Sequence, residues 1–149
     1  MSGWDEVPSW VTEHVALYRR DPEKAHMWDA SLGAGKLFAP TLLLTTKGRK
    51  SGEPRTTPLI YGKWGKGFAV IASKAGHPTH PAWYLNIEVD PDVEIQVITA
   101  HHKARARVAG PEEREKIWAE MVKIFPVYNS YQKRTGGREI PVVVLEPVA

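Results

Sequence analysis

Apolar residues recur every three or four positions near the start of the chain, which is the spacing of one face of a helix. Asp21-Pro22 can end this helix and begin a second one over 23–29, because Asp is a good N-cap and Pro suits a first helical turn. The same spacing predicts helices over 80–88, 111–125 and 127–134. The first helix covers 7–19, and its apolar face carries Val7, Trp10, Val11, Val15 and Tyr18, with His14 among them.

Short apolar runs separated by glycine-rich or polar turns predict strands over 41–46, 55–64, 67–73, 93–97, 103–108 and 140–145. The third run is nearly all apolar, as expected for a strand covered on both faces, whereas the fourth and fifth alternate with period two. The strands follow one another and do not alternate with helices. This order indicates an α+β domain built on an antiparallel barrel over 37–149, preceded by a helical segment over 1–36 that ends in a loop.

Composition and charge limit the classes of function. The 149 residues include no Cys, which excludes disulfides, thiolate metal sites and Cys nucleophiles. The sequence shows no membrane-span pattern and no signal-peptide pattern, so we expect a cytoplasmic protein. The net charge of +3 favours an anionic ligand or surface. Trp4, Trp10 and Arg19-Arg20 would suit a helix at the inner face of the membrane, and packing of that helix on its own domain is the alternative.

Basic residues concentrate in the turn between the first two predicted strands. Lys47, Arg49, Lys50 and Arg55 stand there against a single acidic residue, Glu53. Gly48 and Gly52 allow a tight backbone with exposed N–H groups. Such a turn suits a phosphate or polycarboxylate, and a solvated hairpin tip is the alternative.

Other kinds of site receive less support from the sequence. His77 and His80 are three residues apart and His101-His102 form another pair, but no carboxylate cluster accompanies them, so we predict no metal site. No nucleophile elbow, P-loop or dinucleotide fingerprint is present. Single-stranded nucleic acid on a small barrel is kept as an alternative, and it predicts binding that weakens steeply with salt.

Four segments of the chain form a recognisable set: 42–52, 72–76, 81–86 and 140–144. Together they resemble the deazaflavin-dependent nitroreductase and quinone reductase family, found mainly in actinobacteria, and the resemblance runs from about Leu42 to Pro147. It implies an antiparallel split β-barrel flanked by helices, in which a hydride passes from reduced coenzyme F420 to a quinone-like or nitroaromatic acceptor. A split barrel that binds FMN, usually as a dimer, is the alternative within the fold; monomer and homodimer are both left open.

The resemblance also implies roles for individual residues. The phosphate and oligoglutamate tail of the cofactor would be held by Gly48, Arg49, Lys50, Ser51, Gly52 and Arg55. The deazaflavin ring and its linker would be held by Thr57, Pro58, Leu59, Ala72, Ser73, Lys74, Ala75 and Gly76, with Trp83, Tyr84 and Asn86 completing the pocket. The catalytic candidates are Ser73, Tyr128 and Tyr131, and we expect Ser73 and Tyr131 to hydrogen-bond the oxygen of the acceptor.

Two positions depart from the nitroreductase of the family. Ile60 stands where that protein has an aromatic residue, and Phe125 stands where it has Tyr. The part of the site that would contact the acceptor is therefore more apolar than in that nitroreductase. The departure leaves the cofactor residues unchanged and weighs against reduction of nitroimidazoles.

Overall fold

The computed structural model describes residues 9–29 and 38–148. The helices are α1 (Ser9–Arg20), α2 (Pro22–His26), α3 (Ala82–Val89), α4 (Pro111–Ile124) and α5 (Tyr128–Arg134). The strands are β1 (Met27–Asp29), β2 (Phe38–Lys47), β3 (Pro54–Trp64), β4 (Gly67–Ile71), β5 (Asp92–Val97), β6 (Ala100–Val108) and β7 (Val142–Pro147). A single 3-10 turn (Lys74–Gly76) follows β4.

Six of these strands close into an antiparallel barrel in the order β2-β3-β4-β7-β6-β5. The closure is made by β2 and β5, whose register pairs Leu44 with Ile95. The short β1 extends the sheet at the start of β2. The predicted α+β architecture built on an antiparallel barrel is confirmed.

Alternation along the strands separates an inner core, inside the barrel, from an outer core between the barrel wall and the helices α4 and α5. A smaller core lies beneath α1 and α2, where Tyr18 and Ala25 pack on Leu43. In β4, Val70 packs inside the barrel, whereas Ala69 and Ile71 belong to a second core with α4 and α5. The prediction that this strand is covered on both faces is therefore confirmed. Residues of α3, among them Trp83 and Ile87, pack into the inner core.

The helices α1 and α2 pack on the outside of the barrel. Tyr18 is fully buried, and its hydroxyl donates to the carbonyl of Thr41 at 2.9 Å and accepts from the backbone N–H of Ile98 at 2.7 Å. His14 is also buried, and its Nε2 donates to the carbonyl of Ala25 at 3.0 Å. These bonds connect α1 with both β2 and the turn after β5. Within the described residues, no helix has both the length and the apolar character that a membrane crossing needs.

The predicted helix over 23–29 is wrong from residue 27 onward. The helix ends because Met27 adopts extended backbone angles, and the next residues pair with β2, with Trp28 opposite Ala39. In this strand Trp28 stacks on His14 with ring centroids 3.7 Å apart. The local pattern therefore predicted a helix at residues that in fact form a strand, and this strand is stacked on a histidine far away in the chain. The predicted loop over 31–36 and the domain boundary at 36 lie outside the described residues.

Candidate active site

The basic turn between β2 and β3 is folded by its own backbone. The N–H of Gly48 donates to the carbonyl of Glu53 and the N–H of Gly52 donates to the carbonyl of Gly48, both at 2.8 Å. A Cβ on Gly48 would lie 2.9 Å from Oγ of Ser51 and 3.0 Å from the carbonyl oxygen of Glu53, so a side chain cannot be added without a shift. Lys50 and Arg55 are exposed. The turn thus presents its cationic side chains to solvent on a compact backbone.

One buried amide connects this turn to α3. Asn86 is 3% exposed, and its Oδ1 accepts from the backbone N–H of Arg49 at 3.2 Å and from Nη1 of Arg49 at 3.0 Å. Its Nδ2 donates to Oγ1 of Thr46 at 3.0 Å. Two residues that the resemblance assigned separately to the site are therefore in direct contact. The contact fixes the guanidinium of Arg49 relative to the helix that packs into the barrel core.

The three predicted ring-lining residues of β3 alternate across the barrel wall. Leu59 packs against the inner core. Pro58 is buried and pairs with Leu43, which belongs to the core beneath α1. Thr57 shares the face of Leu59 by alternation and is half-buried.

The left-handed segment, residues 73–76, follows β4 and has an unusual backbone. Lys74, Ala75 and Gly76 have φ values of 46°, 52° and 79°, in the left-handed region that disfavours side chains other than glycine. A Cβ on Gly76 would lie 2.6 Å from the carbonyl oxygen of Tyr131. The segment therefore lies directly against α5, which brings the predicted residues Ser73–Gly76 and Tyr131 together.

The two candidate tyrosines of α5 differ in accessibility. Tyr128 is 3% exposed and packs edge-to-face on Phe125, with ring centroids 5.0 Å apart. Tyr131 is half-buried, and its ring lies 6.4 Å from that of Tyr128. Burial raises the pKa of both phenols, so both are protonated near neutral pH and can donate a hydrogen bond. Of the two, Tyr131 has the ring that a ligand can reach.

The aromatic pair of α3 belongs mainly to the inner core. Trp83 and Tyr84 are both buried there, and the Tyr84 ring lies 4.7 Å from that of His80. They support the end of the barrel beside Asn86. Their predicted contact with a cofactor stays a prediction.

Sequence reasoning missed Arg138, which follows Gly136-Gly137 near the end of the chain. Its guanidinium donates to the carbonyls of Ala72, Ser73 and His77 at 3.1, 2.8 and 2.8 Å. It also donates to Nδ1 of His80 at 3.1 Å. No local pattern marks this arginine, because its partners lie about 60 positions earlier in the chain. Within the described residues, no three His, Asp or Glu side chains gather to hold a metal ion.

Two clefts run along the outer face of β2 and β5, with volumes of about 440 and 490 Å³. They share Thr45, Glu94 and Lys103, and the second extends to Gly52 in the basic turn. The turn therefore borders an open groove of mixed charge. Neither cleft includes Tyr131.

Residues 10–147 match the model of the F420H(2)-dependent quinone reductase family. The chain belongs to this family. An F420H(2)-dependent quinone reductase of Mycobacterium tuberculosis is 41% identical over 110 residues, which cover 71% of this chain and 72% of that protein. The family and the split-barrel fold that the motifs predicted are confirmed.

Solved structures agree with this membership. An F420-H2 dependent reductase, FDR-A, superposes with a TM-score of 0.66 at 40% identity, covering 72% of this chain and 94% of that one. A structure described as a domain-swapped dimer gives 0.67 at 35% identity and covers 89% of this chain and 98% of that one. The haem storage protein HutZ from Vibrio cholerae, at 20% identity and 0.56 over 73% of this chain and 82% of that one, shares the fold alone.

Proposed function

We propose that the protein is an oxidoreductase that transfers a hydride from reduced coenzyme F420 to a quinone. The observation that carries this proposal is the family match over 10–147, and the geometry of the site is consistent with it. A basic turn, a buried amide that orients it and a left-handed segment against α5 lie at positions that the resemblance assigned to the cofactor. FMN and nucleic acid remain the alternatives that a binding experiment separates.

The residues of the turn fit the anionic part of the proposed cofactor. Arg49 is oriented by Asn86, and Lys50, Ser51 and Arg55 are exposed beside it. Guanidinium and ammonium groups form charge-assisted hydrogen bonds with phosphates and carboxylates. When bound, reduced coenzyme F420 supplies the hydride, and the protein supplies binding, orientation and electrostatics.

The segment Ser73–Gly76 and α5 provide the groups nearest the proposed reaction. The backbone of Tyr131 contacts Gly76 of this segment, and the Tyr131 side chain is a protonated phenol. Ser73 carries a hydroxyl within the segment. Either group can donate a hydrogen bond to the quinone oxygen as that oxygen gains negative charge. Tyr128 is buried behind Tyr131, so we assign it to supporting that ring. Protons that complete the reduction come from water.

Apolar residues on the acceptor side support a quinone in preference to a nitroimidazole. Ile60 packs in the outer core, and Phe125 is buried with its ring 5.9 Å from that of Tyr131. An isoleucine and a phenylalanine in place of an aromatic residue and a tyrosine offer less polar contact. A flat apolar ring suits this surface better than a charged or strongly polar acceptor.

The charge of the turn can be tested with a double substitution. We expect Arg49→Ala with Lys50→Ala to raise the Kd for coenzyme F420 by about tenfold or more, since a charge-assisted hydrogen bond is worth about 1.5–3 kcal/mol. Lys63→Ala with Lys66→Ala makes the same charge change at the opposite end of β3 and serves as the control. Equal effects of the two double variants would show that only net charge matters and that the turn does not hold the tail.

We also propose peripheral membrane contact through exposed apolar side chains near the N-terminal helices. Met27 and Phe38 are 46% and 57% exposed and are diagonal neighbours on one face of β1 and β2. Trp10 is 40% exposed but stacks on Trp28, which points to the other face, so it does not belong to this surface. A quinone held in a lipid bilayer would be reached from such a surface. Replacing Met27 and Phe38 by Ser should reduce sedimentation with anionic liposomes, whereas unchanged sedimentation would contradict the contact. Deleting α1 is a poorer test, because it removes buried Tyr18.

A further inference from the structure

Arg138 makes more hydrogen bonds to the left-handed segment and its flanks than a single lysine could make. Its Nε and Nη2 both donate to the carbonyl of His77, at 3.0 and 2.8 Å. Its Nη2 and Nη1 also reach the carbonyls of Ser73 and Ala72. The guanidinium thus binds both sides of the 3-10 turn, from the end of β4 to the residue that follows Gly76.

The backbone between those carbonyls needs such support. Lys74 and Ala75 hold left-handed angles, which cost free energy in residues with a Cβ unless the surroundings impose them. The segment also makes local bonds, in which the N–H of Gly76 donates to the carbonyl of Ser73 and the N–H of His77 to that of Lys74. Arg138 adds bonds from outside the segment, and these determine where the segment lies.

Arg138 is itself anchored to the C-terminal end of α5. Its carbonyl accepts from Oγ1 of Thr135 and from Nε2 of Gln132, both at 2.8 Å. Thr135 follows α5 directly, and Gln132 is next to Tyr131. The arginine therefore connects the segment after β4 with the helix that carries Tyr131.

We propose that Arg138 is a positioning residue that holds the segment Ser73–Gly76 against α5. The deazaflavin ring would thereby be kept at a fixed position relative to the residues that contact the acceptor. This inference rests on the proposed function, because it assigns the segment to the cofactor. Arg138 touches neither reactant in the proposed arrangement. It acts through the carbonyls that it binds, and a lysine has one nitrogen where the guanidinium has three.

The test compares Arg138→Lys with Arg114→Lys. Arg114 is a half-buried arginine that donates to the carbonyl of Ile140 and to Oε1 of Gln132. It thus shares Gln132 with Arg138, but within the described residues it makes no hydrogen bond to the segment itself. Both changes keep the positive charge. A difference between the variants therefore reflects the hydrogen bonds of the guanidinium and not the long-range attraction of a positive charge for the anionic cofactor. The measurements are the Kd of coenzyme F420 by fluorescence, the KM for menadione at saturating reduced cofactor, and Tm.

We expect Arg138→Lys to raise the Kd of coenzyme F420 by about tenfold or more, with the menadione KM changed by less than about threefold. Arg114→Lys should lower Tm to a similar degree and leave the Kd near that of the wild type. Two results would overturn the positioning role while leaving the proposed function intact. One is wild-type affinity in Arg138→Lys. The other is a loss of affinity in both variants that is in proportion to their decrease in Tm. If the wild-type protein fails to bind coenzyme F420, both proposals fail. Arg138→Gln, which keeps one amide donor, is measured in the same way if the lysine variant does not fold.

Discussion

The two segments assigned to the cofactor are stabilised in different ways. The basic turn closes on itself through Gly48 and Gly52, so most of what shapes it lies within a few residues. The segment around Ala75 depends on Arg138, which lies 65 positions after Ser73 in the chain. Groups able to contact a ligand can therefore be recognised from the local sequence. Their position in the folded protein, by contrast, is set by contacts with residues far away in the chain, which the local sequence does not indicate.

The largest effect is expected at Gly76, where the left-handed segment meets α5. Gly76→Ala adds a Cβ 2.6 Å from the carbonyl of Tyr131 at a φ of +79°, and we expect it to destabilise the protein by about 2–4 kcal/mol through strain and overpacking. Gly65→Ala is the control, because Gly65 also has a positive φ but no atom of the described residues lies within 4 Å of the added Cβ. This change should cost about 1–2 kcal/mol. Denaturant unfolding and a titration with coenzyme F420 measure both. Equal losses of stability would mean that the packing against α5 is loose.

The next largest effect concerns the contact between the basic turn and Asn86, which lies far from the turn in the chain. Asn86→Ala leaves the Arg49 backbone N–H and the Thr46 hydroxyl without their partner, which we expect to cost about 1–3 kcal/mol of stability and to weaken binding of coenzyme F420. Thr46→Val removes the Thr46 contact but keeps the bonds from Asn86 to Arg49. It should therefore weaken cofactor binding less than Asn86→Ala does. The reverse order would show that Asn86 does not orient Arg49.

A smaller effect is expected from pH, through the packing of α1. Burial lowers the pKa of His14 below 6.5, although its hydrogen bond to Ala25 opposes the shift. Among the described residues, its buried Nδ1 has no hydrogen-bond partner. The folded protein therefore binds fewer protons than the unfolded chain below pH 6.5, so the free energy of unfolding falls as pH drops from that value. One proton contributes at most about 1.4 kcal/mol per pH unit. Denaturation at pH 7.5, 6.5 and 5.5 should show a smaller fall in His14→Gln, and an unchanged fall would refute this assignment.

The smallest effect is expected for the basic row on β6. Arg105 pairs with Asp92 at 3.3 Å, and the two side chains are 64% and 75% exposed. Exposed pairs contribute little, so Arg105→Ala should change stability by less than about 0.5 kcal/mol and the Kd of coenzyme F420 by less than about twofold. A larger loss of affinity would extend the tail site from the turn onto β6.

Much of the fold could be predicted from periodicity because its strands and helices bury regular faces. The continuous apolar run of β4 predicted cover on both faces, and the structure places a core on each side. Trp28 shows where the prediction failed. Its strand is set by pairing with β2 and by stacking on His14, and neither contact leaves a mark in the local sequence.

The residues of the candidate site also differ in whether the local sequence could indicate them. The glycines and cations of the basic turn could be read directly, and the resemblance added Asn86 without predicting its bond to Arg49. Arg138 was missed entirely. An arginine after two glycines has no distinctive pattern, and its importance follows only from the carbonyls that the folded chain brings to it.

Binding of the cofactor is the sharpest test of the proposed function. Purified protein is titrated with coenzyme F420 and, side by side, with FMN, and quenching of its six tryptophans is followed at two salt concentrations. We expect coenzyme F420 to bind more tightly than FMN, and added salt to weaken its binding because the basic turn holds an anionic tail. Tighter binding of FMN, or no binding of either molecule, would refute the proposed function.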